Sequence, residues 1–97
     1  MASIRGLKKD IDLLISMVLN DCFYVLEYNS KVDRDAIMKL AGDVILQHRK
    51  FRIRANHPDG KDDPKLIKQY YKKLMEEAMN TADKDLEKLS EEVKKTA

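Results

Sequence analysis

Asn56-His57-Pro58-Asp59-Gly60-Lys61-Asp62-Asp63-Pro64 is the stretch on which the fold turns. It holds both prolines of the chain and one of its three glycines. Asn, Pro, Asp and Gly in this order are turn chemistry: proline presets φ, glycine accepts positive φ, and Asn and Asp bond their own backbone. Asp63-Pro64 is then a start signal, Asp as N-cap and Pro at the first helical position, where its missing N–H costs nothing. The stretch therefore reads as a reversal between two helices.

Upstream of it, a helix is expected over about 32–55. Ile37, Leu40, Ala41, Val44, Phe51 and Ala55 fall on one stripe, with His48 on the same side. Ser30, followed three residues later by Asp33, resembles a capping box. Leu46 and Ile53 lie nearly opposite the stripe, beside Gly42 and Arg49. Downstream, Tyr71, Met75, Ala78, Ala82, Leu86, Leu89 and Val93 recur at about 3.7 residues per step, in phase with one straight helix. That helix spans about 64–94, with a break near Asn80 as the alternative.

Further upstream, Ile4, Leu7, Ile11, Leu14, Val18, Cys22 and Val25 define a first helix over about 4–28, with Ser3 as its cap. It also carries Leu13, Met17, Tyr24 and Tyr28 on its far side. A helix that is apolar on two faces is packed between neighbours or meets a partner chain. The expected fold is thus an all-α, antiparallel up-down-up three-helix bundle, one domain over 1–97, with the first helix central. Its core is expected around Ile11, Leu14, Val18, Ile37, Leu40, Val44, Ile67, Leu74 and Ala78. At about 1.5 Å per residue the third helix is roughly 46 Å long and the first roughly 37 Å. A C-terminal overhang carrying Leu86, Leu89 and Val93 follows, to be covered by a second subunit or by the helix bending back.

Composition sets the class. With 43% apolar and 37% charged residues in 97, the chain can bury a core and contains no apolar run near the roughly 18 residues that span a bilayer. No signal-peptide pattern follows the first apolar stretch, so a cytoplasmic location is the expectation. A single cysteine, Cys22, excludes an intrachain disulfide and reads as a buried, inert thiol. A net charge of +2 is too small to imply a nucleic-acid partner.

Candidate chemistry is sparse. His48, His57 and Cys22 lack metal-ligand spacing, there is no phosphate loop or nucleophile motif, and the acidic run at 59–63 lacks the ligand pattern of a calcium loop. No catalytic residue, cofactor, metal or small-molecule substrate is expected. Arg49, Lys50, Arg52 and Arg54 form a basic helix end. A nucleic-acid role for it would require a continuous basic face, whereas these residues spread over a broad arc and gain from the helix dipole.

His57-Pro58-Asp59 behind that basic helix end resembles the loop signature of J-domain co-chaperones. The resemblance implies docking through Arg49, Lys50, Arg52 and Arg54 and stimulation of a DnaK-type ATPase through the loop. The chain departs from that pattern. Arg52 and Arg49 stand where the family places core residues, and the long first helix has no counterpart there. A broader resemblance rests on Leu7-Lys8-Lys9-Asp10-Ile11, Asn20-Asp21-Cys22, Asn56 through Lys65 and Ile67-Lys68-Gln69-Tyr70-Tyr71. These are similar to a family of small helical proteins of Bacteroidetes bacteria without assigned activity, which implies an all-helical cytoplasmic protein.

The functional expectation is a non-enzymatic interaction or structural module that self-associates, as a homodimer, or binds another protein. Its contact surfaces are expected at Leu46, Arg49 and Ile53, at Met17 and Tyr24, and along the Leu86, Leu89 and Val93 tail. The J-domain reading through His57, Pro58 and Asp59 and the nucleic-acid reading are the alternatives.

Overall fold

The computed structural model describes residues 4–56 and 63–97. The expected Ser3 cap, the Ile4 side chain and the His57-Pro58-Asp59 loop lie outside the described residues. Within them the chain forms three α-helices, α1 (Ile4–Tyr28), α2 (Arg34–Asn56) and α3 (Pro64–Lys94), and no strand. The third helix runs unbroken through Asn80.

Local chemistry explains each boundary. Asp63 caps α3, its carboxylate accepting from the Lys65 N–H at 2.9 Å, with Pro64 beginning the first turn. Asp33, not Ser30, caps α2: its carboxylate accepts from the Ala36 N–H at 3.2 Å. Val32 before the cap and Ile37 in the next turn are both buried, the arrangement of a hydrophobic staple. This pins the start of α2 at Arg34, two residues later than the expected start at 32. Asn29 closes α1. Its side chain accepts from the Lys31 N–H, and the Arg34 guanidinium donates to the Leu26 carbonyl at 2.9 Å, satisfying a group the helix end leaves unpaired.

The contacts between elements show the up-down-up order. His48 of α2 meets Asp12 of α1, while Tyr70 and Tyr71 near the start of α3 meet Arg54 and Ala55 at the end of α2. The Asn29 amide donates to the Thr96 hydroxyl at 3.0 Å, placing the ends of α1 and α3 side by side. The tyrosine contacts are helix-end chemistry as well. The Tyr70 hydroxyl donates to the Arg54 carbonyl at 3.0 Å and that of Tyr71 to the Ala55 carbonyl at 3.4 Å. Burial, together with the neighbouring Tyr70, pushes the Tyr71 phenol above its usual value, which keeps it a donor.

The core joins Leu7, Ile11, Ile15, Val18 and Cys22 of α1, Ile37, Leu40, Val44 and Phe51 of α2, and Tyr71, Leu74, Ala78, Ala82 and Leu89 of α3. Truncating any of its fully buried large side chains costs about 2–5 kcal/mol. Leu14 and Ile67, expected at its centre, sit at its edge and are only partly buried. Each helix packs on both of the others, so α1 is one side of a triangle and not a central rod. Its second apolar side faces outward.

The expected overhang is not at the C-terminus. The short connector 29–33 ties the ends of α1 and α3 to the start of α2, and Leu89 is buried, Leu86 packs against the core and Val93 is half-buried. Relative to α2, the surplus length of α3 lies at its start. Tyr70 and Tyr71 already meet the last carbonyls of α2, so the first turns of α3 run past that end, where Leu66 is 48% exposed.

Candidate interaction surface

The α1–α3 side of the bundle carries the largest concentration of exposed apolar groups. Leu13 (64%), Met17 (57%), Tyr24 (64%) and Tyr28 (68%) line the outward stripe of α1, and Met79 (51%) adjoins them from α3. Together they leave on the order of 600 Å² of side chain accessible, at the top of the range for the largest apolar patch of a monomer. Leu13, Leu14 and Met17 of α1 form a shallow groove with Met75 and Met79 of α3, its wall almost wholly apolar apart from Asp10. A second groove on the same side runs between Tyr24 and Val25 of α1 and Leu86, Leu89 and Val93 of α3. The Tyr24 and Tyr28 rings lie 4.6 Å apart, so two phenols a turn apart form one exposed aromatic unit.

The other expected surfaces fare differently. Leu46 and Ile53 are exposed on α2, at 52% and 55%, with Arg49 exposed as well. They share the outward side of α2 with Met38 and Ile45, exposed at 54% and 46%, as groups spread along a single helix. Leu86, Leu89 and Val93 are not a free stripe. Leu89 belongs to the core, and the other two present only their edges to the Tyr24 groove. Phe23, Met38 and Ile45 are exposed large hydrophobics that the stripe reading left unmentioned. They sit just off the core stripe, where adjacent positions on a wheel differ by about 100° and the buried arc has a soft edge.

The basic end of α2 is divided. Asp12 of α1 accepts from the His48 ring at 2.6 Å and lies 3.6 Å from the Arg52 guanidinium. A carboxylate only accepts, so the facing Nε2 carries the proton in this contact. Arg54 pairs with Glu77 of α3 and stacks 5.9 Å over the Phe51 ring. Two of the four cations are thus held against carboxylates of other helices, and Arg49 and Lys50 point to solvent. No spacing rule pairs Asp12 with His48, because the contact joins two helices.

One polar contact sits inside the bundle. Asp85 is 1% exposed, and its Oδ1 accepts from the Gln47 amide at 3.3 Å. Asp85 Oδ2 and Gln47 Oε1 are both buried without a partner. Both orphans are acceptors. A proton on Oδ2 turns that acceptor into a donor. Desolvation pushes the Asp85 carboxyl above the usual carboxylate range, and Asp43 adds to the rise, against the opposing pull of the Gln47 hydrogen bond and Lys88. The Cys22 thiol is pushed up too, first by burial and then by Asp21 and Asp85, which disfavours the reactive thiolate. Asp85 fits the step from Ala78 to Ala82 to Leu89, but a polar residue drops out of a hydrophobic stripe read from sequence.

Among the described residues, no group of three or more His, Cys, Asp or Glu side chains is placed to hold a metal ion. No helix among them is long and apolar enough to cross a membrane. No protein-family model matches the chain, and neither a curated protein nor a solved structure matches it.

Proposed function

We propose that this protein is a non-enzymatic interaction module that self-associates through an exposed helix face. One observation carries the reading: five large apolar side chains, each more than half exposed, are gathered on the α1–α3 side of a 97-residue chain. A patch of that size rimmed by charge is what a protein–protein contact uses. The polar contacts supply no competing chemistry. Asp12, His48 and Arg52 satisfy one another at the rim, and Asp85 and Gln47 are enclosed in the core. With one buried cysteine the module needs no oxidising compartment, and we assign it to the cytoplasm.

Sedimentation velocity from micromolar to millimolar protein tests the reading. A concentration-dependent shift from one to two chains is the expected result. A single species of monomer mass up to millimolar concentration ends the self-association proposal.

A further inference from the structure

The outward stripe of α1 has a pattern that says what fits it. At about 100° per residue, Asp10, Leu13, Met17, Asn20, Asp21, Tyr24 and Tyr28 fall within about 60° of the line through Met17. Lys9 and Glu27 flank that stripe on one and the same edge, the edge away from α3. Both are exposed, and among the described residues neither belongs to an ion pair.

When two identical helices pack antiparallel about a twofold axis, like edges face each other, and residues equidistant from the axis come level. With the axis passing between Val18 and Leu19, Leu13 is level with Tyr24 of the second copy, and Lys9 lies within one residue, about 1.5 Å, of the level of its Glu27. Asp10 lies within one residue of the level of its Tyr28, whose hydroxyl can donate to the carboxylate. A parallel arrangement instead sets the Lys9–Glu27 edge of each copy against the opposite edge of the other, so these residues do not pair. The groove between Leu13, Met17, Met75 and Met79 is apolar except for Asp10 at its end, a fit for a phenol ring with its hydroxyl toward the acid. The roughly 600 Å² of exposed apolar side chain approaches the ~800 Å² that each partner of a standard interface buries.

We propose that this face takes the same face of a second copy of this chain. The two α1 helices run antiparallel, Tyr24 of each copy sits in the Leu13–Met17–Met79 groove of the other, and Lys9 of each copy faces Glu27 of the other along the one shared edge. The inference rests on the self-association reading and names its surface and register.

The experiment is dimer affinity by sedimentation velocity at low salt, with far-UV circular dichroism confirming that each variant keeps its helices. Tyr24→Glu is expected to weaken the dimer by at least about tenfold, as loss of a central aromatic anchor does. Lys9→Glu and Glu27→Lys are each expected to weaken it by about two- to fivefold, the scale of exposed ion pairs. The double variant Lys9→Glu with Glu27→Lys should return to the wild-type value, because the swap rebuilds both pairs. Restoration supports the antiparallel register. Failure of the double variant to recover, with both single variants weakened, overturns it. A wild-type dimer indifferent to Tyr24→Glu but broken by Leu46→Glu or Ile53→Glu overturns the assigned face while leaving self-association standing. A wild-type monomer at every concentration removes both. If the wild type is monomeric and an unrelated helical protein binds the α1 face with loss on Tyr24→Glu, the second copy is the wrong occupant.

Discussion

Asp12 reaches α2 from α1 and Asp85 reaches it from α3, and the bundle gives the two carboxylates opposite surroundings. Asp12 keeps 42% of its side-chain surface and has two basic partners, His48 at 2.6 Å and Arg52 at 3.6 Å. Asp85 keeps 1% and has one neutral donor, Gln47 at 3.3 Å, with its second oxygen unpaired. Water screens the first pair and does much of its solvation, so the contact is worth little either way. The second carboxylate has surrendered its water and received a single amide in return. Desolvation exceeds the compensation, which is why its acid form is favoured. In a bundle this thin, position relative to the core decides what a charge costs far more than the number of partners does.

The contrast can be broken at Asp85 first. Asp85→Asn keeps the acceptor for Gln47 and adds an N–H for the orphaned Gln47 oxygen, so a gain of about 1–3 kcal/mol at pH 7 is expected in urea denaturation. Loss of stability at pH 7 would mean that the carboxylate is better solvated than its burial implies. Next comes Gln47→Leu, which removes the amide that donates to Asp85. It should cost about 1–2 kcal/mol at neutral pH and move the Asp85 titration, followed by carboxyl NMR shifts, further up.

The pH dependence follows from the direction of the shift. The folded Asp85 carboxyl lies above its unfolded value, so the folded state holds more protons between the two. Its contribution to stability is fully present below about pH 4, the unfolded carboxylate value, and is lost as pH rises through the raised folded value. In the Asn variant this descending portion of the stability–pH curve should be absent. The smallest effect belongs to Asp12. Asp12→Ala should cost only about 0.2–1 kcal/mol, and molar salt should erase most of it. A larger, salt-insensitive loss would show that the rim contact is better shielded than its exposure suggests.

Much of the architecture is legible locally. The bounds of α1 and α3 follow from periodicity and from the Asp63-Pro64 start, because a stripe in phase and a cap are properties of adjacent residues. The start of α2 is misread at Ser30, since Asp33 offers an equally good cap and only the buried Val32–Ile37 pair decides between them. The outward placement of Leu13, Met17 and Tyr24 has the same local origin, but the choice between a buried and a free second face does not. Phe23, Met38, Ile45 and Met79 join the exposed set only once neighbouring helices set the width of each buried arc. Asp85 escapes a hydrophobic pattern by being polar, and its partner lies 38 residues away in sequence.

Helix identity, helix length and the site of chain reversal therefore come from short-range rules: spacing along one turn, proline and glycine geometry, and a carboxylate placed to receive backbone N–H groups. Three properties come only from the packed bundle. The surplus of α3 extends past the end of α2 because the 29–33 connector and the Asn29–Thr96 bond align the opposite ends. The tail through Leu86 and Leu89 is held on the core for the same reason. One face of α1 remains uncovered because two neighbours can enclose only part of a cylinder. Burial and solvation depend on what lies across the gap, and a linear string of residues does not contain that distance.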